Sequence, residues 1–198
     1  TPLTLISGSI EEIVERGQLQ KSGTENMQVA RRNVNRMLRL VNQILDFRKI
    51  QGRKMKLSIE QGDVVALCRQ VGENFTQLAH ERSIHFRLVP EAPEIRCYTD
   101  MDKLEKILFN LLSNAFKYTA DGKSITMTVR MESGCLFVSV RDEGKGMDLR
   151  KIDNLFGRFE TCGKTDPNRS TGIGLSLVKE FVDLLHGTIQ PESIPGQG

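Results

Sequence analysis

The 198-residue sequence contains no tryptophan, and its aromatic residues amount to only 6%. Together with a net charge of just +3, that scarcity removes the stacking platforms and basic stripe of a dedicated nucleic-acid binder. No apolar run approaches the roughly 20 residues of a membrane span, so no direct membrane contact is expected. No secretory signal peptide is recognisable, and the first residue is Thr1. The four cysteines, Cys68, Cys97, Cys135 and Cys162, stand apart with no Cys-x-x-Cys pair. They read as reduced, mostly buried thiols of a cytosolic protein, not as a zinc site or a disulfide framework. What is present, 38% hydrophobic and 27% charged residues, suffices for a packed core and argues against disorder.

Charge and periodicity divide the chain. Residues 1–56 carry 11 Lys/Arg against 5 Asp/Glu, and the remainder 17 against 20. In the first part, Leu3, Ile6, Ile10 and Ile13 recur at helical spacing. The polar stretch from Gly17 to Gly23 reads as a connector. Met27, Ala30, Val34, Met37, Val41 and Ile44 then form a heptad-like stripe, widened by Leu38 and Leu45. Two such helices enclose little core by themselves, so the pattern predicts a helical hairpin that pairs with a second copy into a four-helix bundle. The basic excess on the second helix reads as a solvated face, or more sharply as a docking surface for an acidic partner.

Beyond the hairpin, strand and helix signals mix. Met55–Ile59 looks strand-like between Gln51–Gly52 and Gln61–Gly62. Asp63 can cap a helix with Leu67, Val71, Phe75 and Leu78 on its apolar face. Ile84, Phe86 and Leu88 alternate as a strand that Pro90 ends. Asp100 caps a helix with Leu104, Ile107, Leu108, Leu111, Leu112 and Ala115. The strands Ile125–Met131 and Cys135–Val140 turn at Glu132–Gly134. A short helix near Leu149–Phe156 and a last helix, Gly172–Leu185, complete a layout that predicts an α+β sandwich with helices on one face.

Three clusters carry the chemistry. In Asn110-Leu-Leu-Ser-Asn114-Ala-Phe-Lys117-Tyr118, the two asparagines and the lysine share one helix face. Carboxamides are neither acid nor base, but their oxygens are hard ligands that can join phosphates and water around Mg²⁺. Lys117 adds a charge for phosphate, and Tyr118 a flat surface for a base or ribose. Alone, this cluster would read as a solvated helix face. In Asp142-Glu-Gly144-Lys-Gly146-Met147, a carboxylate at a strand end precedes glycines that admit a flat ligand. Asp142 can accept from the exocyclic amine of adenine and would repel the carbonyl of guanine. Many such stretches are simple turns. In Ser170-Thr171-Gly172-Ile173-Gly174, glycines open a helix whose amides can hold phosphate. Between the last two clusters, Leu155-Phe156-Gly-Arg158-Phe159 leads into a polar stretch, Glu160–Arg169, with the look of a lid.

In order and spacing these clusters resemble the N, G1, F and G2 boxes of the sensor histidine kinases, within the GHKL ATP-binding superfamily. Thr1-Pro2-Leu3-Thr4-Leu5 and the run Asn35–Asp46 resemble the dimerisation and phosphotransfer hairpin of the same kinases. The run continuing into Phe47-Arg48-Lys49 is similar to hybrid sensors. The resemblance implies a hairpin over 1–54, half of a dimeric four-helix bundle, followed by a Bergerat-type ATP-binding domain over 55–198. It implies ATP and Mg²⁺, with Asn114 on the metal and Asn110 beside it. Lys117, Arg158, Thr171, Gly172 and Gly174 would lie at the phosphates, Tyr118 on the adenosine, and Asp142, Gly144 and Gly146 at adenine. The partners implied are a second copy and the receiver domain of a response regulator, with no nucleic acid. The setting implied is the cytoplasmic part of a bacterial inner-membrane sensor.

Departures from the family pattern carry their own expectations. The phospho-acceptor histidine of the family falls four residues before Thr1, and His80, His85 and His186 do not match it. The 198 residues are thus expected to bind ATP–Mg²⁺ without phosphorylating themselves, and Thr1 matches a position that can assist dephosphorylation of the regulator. Gly196-Gln197-Gly198 reaches the turn before the family's final strand, so the domain is expected to lack that strand. Ser170 replaces a common glycine, and Glu160-Thr161 an aromatic-Arg pair, leaving Arg158, Lys164 and Arg169 as the cations on hand for the γ-phosphate. ATP hydrolases of the superfamily carry a glutamate general base where this sequence has Asn110, which cannot take a proton. That favours transfer to a side chain over hydrolysis. A non-catalytic dimerisation and nucleotide-sensing module is the other alternative, separable by whether labelled phosphate is transferred.

Overall fold

The structure, a computed structural model, describes residues 34, 37, 41–52, 54–148, 155–156 and 173–198. The chain divides into two compact units, Thr1–Met55 and Lys56–Gly198. In the first, residues 41–51 form helix α1, and Val41, Ile44 and Leu45 on it are 47, 49 and 52% exposed. The first expected helix and the connector at 17–23 lie outside the described residues.

The second unit runs β1 (Glu60–Asp63), α2 (Val64–Glu73), α3 (Thr76–Glu81), β2 (His85–Pro90), β3 (Arg96–Thr99), α4 (Met101–Tyr118), β4 (Ser124–Glu132), β5 (Cys135–Asp142) and α5 (Gly174–Leu184). A three-stranded sheet has the order β2-β4-β5, with β2 parallel and β5 antiparallel to the central β4. β1 and β3 form a separate antiparallel pair. Along β4, Ile125, Met127 and Val129 are buried while their neighbours are not, the period of two of a one-sided sheet. That face meets Val64, Val65, Cys68 and Val71 of α2 and Leu104, Leu108, Leu112 and Phe116 of α4 in one core.

Helix α4 begins where Asp100 caps it. Its Oδ1 accepts from Lys103 N at 3.0 Å, and its Oδ2 from Ser58 N at 2.8 Å, so a carboxylate only 1% exposed has both oxygens satisfied. The stripe predicted on this helix is buried, apart from Leu111, which is half-buried; Phe116 joins it.

Three expectations need correction. The strand expected at Met55–Ile59 forms instead at Glu60–Asp63, where it pairs with β3, and Asp63 Oδ1 accepts from Ile95 N at 3.1 Å. Gly62, expected to flank the strand, lies within it, where a Cβ would lie 2.6 Å from the Met101 sulfur. The helix expected to continue from Asp63 to Leu78 breaks at Asn74. Its side-chain amide takes the carbonyls of Gln70 and Val71, ending α2. Phe75 is buried but Leu78 is 36% exposed. Cys162 lies outside the described residues, and the described thiols are not mostly buried. Among the described cysteines Cys135 is exposed at the β4–β5 turn, Cys97 is half-buried, and only Cys68 is enclosed, its thiol pushed up to about 12 by burial.

Candidate functional site

The C-terminal half of α4 supplies the first wall. Asn110, Asn114, Lys117 and Tyr118 are all half-buried, on the side away from the core stripe. Asn110 donates from Nδ2 to Lys106 O at 2.7 Å, which orients its carboxamide. Its Oδ1 faces the start of α5, where a Cβ on Gly174 would lie only 3.0 Å away. The carboxamide of Asn114 makes no hydrogen bond among the described residues.

The second wall is the segment that leaves β5. Asp142 Oδ1 accepts from Gly144 N at 2.9 Å, turning the chain back immediately after the strand. Burial pushes the Asp142 carboxyl up from its ordinary range, and the Gly144 N–H works against that rise. Gly144 sits against α4: a Cβ would lie 2.5 Å from Asp142 Oδ1 and 2.8 Å from the Tyr118 carbonyl oxygen. Gly146 has φ +61, and a Cβ there would collide with the Ile194 carbonyl. The end of β5 and the end of α4 therefore meet with no room for side chains between them.

Two elements of this region were not anticipated. Lys145 Nζ lies 5.2 Å from the centre of the Tyr118 ring, and Lys117 Nζ lies 5.1 Å from the same centre. Two ammonium groups are thus gathered at one aromatic surface. Residues 193–198 also strap the loop: Met147 N donates to Ser193 Oγ at 2.8 Å and Gly196 N to Lys145 O at 2.8 Å. A Pro-Gly pair at 195–196 signals a turn in sequence, but nothing local says what the turn rests on.

The three motif clusters are thus joined through Gly144 to Tyr118 and through Gly174 to Asn110. Thr1, Arg158, Thr171 and Gly172 lie outside the described residues. So do Lys164, Arg169, most of the short helix expected near Leu149–Phe156 and the stretch Glu160–Arg169. Among the described residues no three His, Cys, Asp or Glu side chains gather as a metal cluster. Asn114 could contribute one hard oxygen to a cation whose other ligands are phosphates and water.

The family model described as histidine kinase-, DNA gyrase B- and HSP90-like ATPase matches residues 99–198, and that of the His kinase A (phospho-acceptor) domain matches residues 1–53. The sensor histidine kinase TmoS of Ectopseudomonas mendocina is 36% identical over 202 residues, covering 100% of this chain and 21% of TmoS. The chain therefore spans about a fifth of that relative's length. The structure of full-length ShkA in complex with AMPPNP aligns with TM-score 0.75 at 24% identity, over 100% of this chain and 44% of ShkA. The structure of the histidine kinase ThkA in complex with the response regulator TrrA aligns with TM-score 0.62 at 20% identity, over 94% of this chain and 52% of that one. The structural likenesses show the shared fold, and the family models cover both ends of the chain. On those matches, the chain belongs to the histidine kinases of the GHKL superfamily.

Proposed function

We propose that this chain is the ATP-dependent kinase core of a two-component system. Its 55–198 part would bind ATP–Mg²⁺, and its 1–54 part would dimerise and carry out phosphotransfer. The observation that carries this reading is the junction of Asp142–Gly144 with Lys117–Tyr118. The Gly144 contact brings the loop that carries Asp142 against the helix turn that carries Lys117 and Tyr118.

Asp142 accepts from the adenine amine, and Gly144 and Gly146 shape the loop behind it by letting its backbone pack on Tyr118 and Ile194. Tyr118 covers the adenosine. Lys117 turns from the Tyr118 ring toward the phosphates, and the Gly174 end of α5 serves their far side. Asn114, with Asn110 beside it, would hold the metal through a hard carboxamide oxygen. When bound it supplies neutralisation of phosphate charge, which phosphoryl transfer needs more than covalent help. Asn110 has no proton-accepting carboxylate, and its carboxamide is already committed to Lys106 O, which disfavours water activation and hydrolysis.

The γ-phosphoryl then passes from ATP to a histidine nitrogen, ADP leaving, and from there to an aspartate oxygen of a receiver domain. Residues 1–53 contain no histidine; the acceptor in this reading is carried by the sequence that precedes Thr1 in the family pattern. Thr1 would help position the water that hydrolyses the regulator's aspartyl phosphate, releasing inorganic phosphate and the free carboxylate. Exposure of Val41, Ile44 and Leu45 supports pairing of the hairpin with a second copy. The family setting supports a cytoplasmic position in a membrane sensor. No helix among the described residues is long and apolar enough to cross a membrane.

The experiment compares the 198-residue chain with one extended upstream through the histidine, both incubated with labelled ATP and Mg²⁺. Both should bind nucleotide, and only the longer chain should gain acid-labile label. Nucleotide binding without label in the longer chain would favour the sensing module, and phosphate release without label would favour a hydrolase.

A further inference from the structure

Arg82, the residue that ends α3, is remote in sequence from the nucleotide helix, yet its guanidinium is spent on the last turn of that helix. One terminal nitrogen donates to Phe116 O, the other to Thr119 O at 2.7 Å, and Nε to Asp121 Oδ1 at 2.8 Å. Its own carbonyl accepts from Gly122 N at 3.1 Å. The Arg82 side chain is 29% exposed, so this fork is largely sheltered from water.

The carbonyls it holds are those immediately before Lys117 and immediately after Tyr118. The last carbonyls of a helix have no partner within it, and a cation there also faces the negative end of the helix dipole. The neighbourhood leaves little slack. The ring of Phe116 stacks on Phe75 at 5.0 Å between centres, and the Tyr118 carbonyl abuts Gly144. A rotation of this turn would redirect both Lys117 and Tyr118 and press on the loop that carries Asp142.

We propose that Arg82 is a positioning residue of the nucleotide site: its fork across Phe116 O and Thr119 O sets the rotation of the final turn of α4, and so aims Lys117 and Tyr118. The consequence for nucleotide rests on the function proposed above; the positioning does not. Arginine is required for geometry as much as charge, because an ammonium is a point donor and cannot span two carbonyls and a carboxylate in one plane.

The test uses the 198-residue chain carrying Tyr98→Phe. Tyr98 is 74% exposed, the chain has two tyrosines and no tryptophan, and the tyrosine near-ultraviolet circular dichroism then reports Tyr118 alone. Arg82→Met and Arg82→Lys are compared with Val129→Ala, a cavity in the middle of β4 that lowers stability without touching the turn. Arg82→Met should alter the Tyr118 signal without ligand and weaken ADP–Mg²⁺ binding by about tenfold, the scale of one lost charged hydrogen bond. Arg82→Lys should recover part of both, and Val129→Ala should change neither. An unaltered Tyr118 signal and affinity in Arg82→Met, or equal losses in Val129→Ala, would overturn the proposal. Should Arg82→Met not fold, Arg82→Lys decides: a changed signal at an unchanged melting temperature supports the role, and an unchanged signal ends it. If the parent chain binds no ADP, the proposed function fails, while the ligand-free Tyr118 signal still judges Arg82.

Discussion

Gly144 and Tyr118 stand so close that a single added carbon at residue 144 would come within 2.8 Å of the Tyr118 carbonyl oxygen, and within 2.5 Å of Asp142 Oδ1. The first obstacle is backbone at the end of a long helix and cannot swing aside. Gly144→Ala should therefore displace the Asp142 loop, costing about 1–3 kcal/mol, as overpacking commonly does. Nucleotide affinity should fall with it, because Asp142 and Tyr118 no longer face one ligand. Calorimetric titration with ATP and a thermal melt check both; full affinity in the variant would separate the glycine from the site.

Gly174 makes the opposite case from similar spacing. A Cβ there would lie 3.0 Å from Asn110 Oδ1, a side-chain atom, and the residue is helical. Alanine at that position, the first of its helix, gains less helix propensity over glycine than the about 1 kcal/mol of a helix interior. Gly174→Ala should thus hold or raise the melting temperature while weakening Mg²⁺-dependent nucleotide binding, because the Asn110 carboxamide must yield. A melt and a titration moving in the same direction would refute this assignment of Asn110.

What was legible in the sequence was local. Asp100 and Asp63 announce their helices because a cap and the amides it serves lie within three residues. Asn110, Asn114 and Lys117 share a face because helical spacing requires it. The β4–β5 hairpin shows in its alternation and in Ser133–Gly134, both of positive φ. The missed features are made by distant partners. β1 exists because Arg96–Thr99 lies opposite it, and four residues of β3 give no periodicity to read. Asn74 ends α2 through two carbonyls that a propensity argument would leave within one helix. Neither the Ser193 strap on Met147 nor the Arg82 fork has a sequence signature, since each joins segments more than thirty residues apart.

Burial raises the Asp142 carboxyl, so the folded chain holds that proton more firmly than the unfolded chain does. Its contribution to stability is then greatest below the unfolded value and is lost as pH rises through the folded one. At neutral pH the ionised group costs the fold stability. Asp142→Asn keeps an oxygen for Gly144 N and removes that charge, so the variant should melt no lower than the parent at pH 7 and possess less pH dependence. Function should move the other way. Only the ionised carboxylate both accepts from adenine and repels guanine, and the amide can donate to the guanine carbonyl. The parent's ATP affinity should decline on acidification above the ordinary carboxylate range, and Asp142→Asn should lose its preference for ATP over GTP. A retained preference would remove Asp142 from base reading.

Asn114 is half-buried on the open face of α4, and its carboxamide has no hydrogen bond among the described residues, so its removal strands no partner there. Alanine is also the better helix former, by less than about 0.7 kcal/mol. Asn114→Ala should therefore fold and melt like the parent. If its oxygen is the chain's ligand for Mg²⁺, the variant's ATP affinity in Mg²⁺ should drop to the value that the parent shows in chelator. The affinity in chelator should itself be unchanged, because Asp142 and Tyr118 still hold the nucleoside. Titrations of both proteins with and without Mg²⁺ close the cycle. A variant that keeps the parent's Mg²⁺ enhancement would move the metal to another ligand, with Asn110 the nearest oxygen in the sequence of the same helix face.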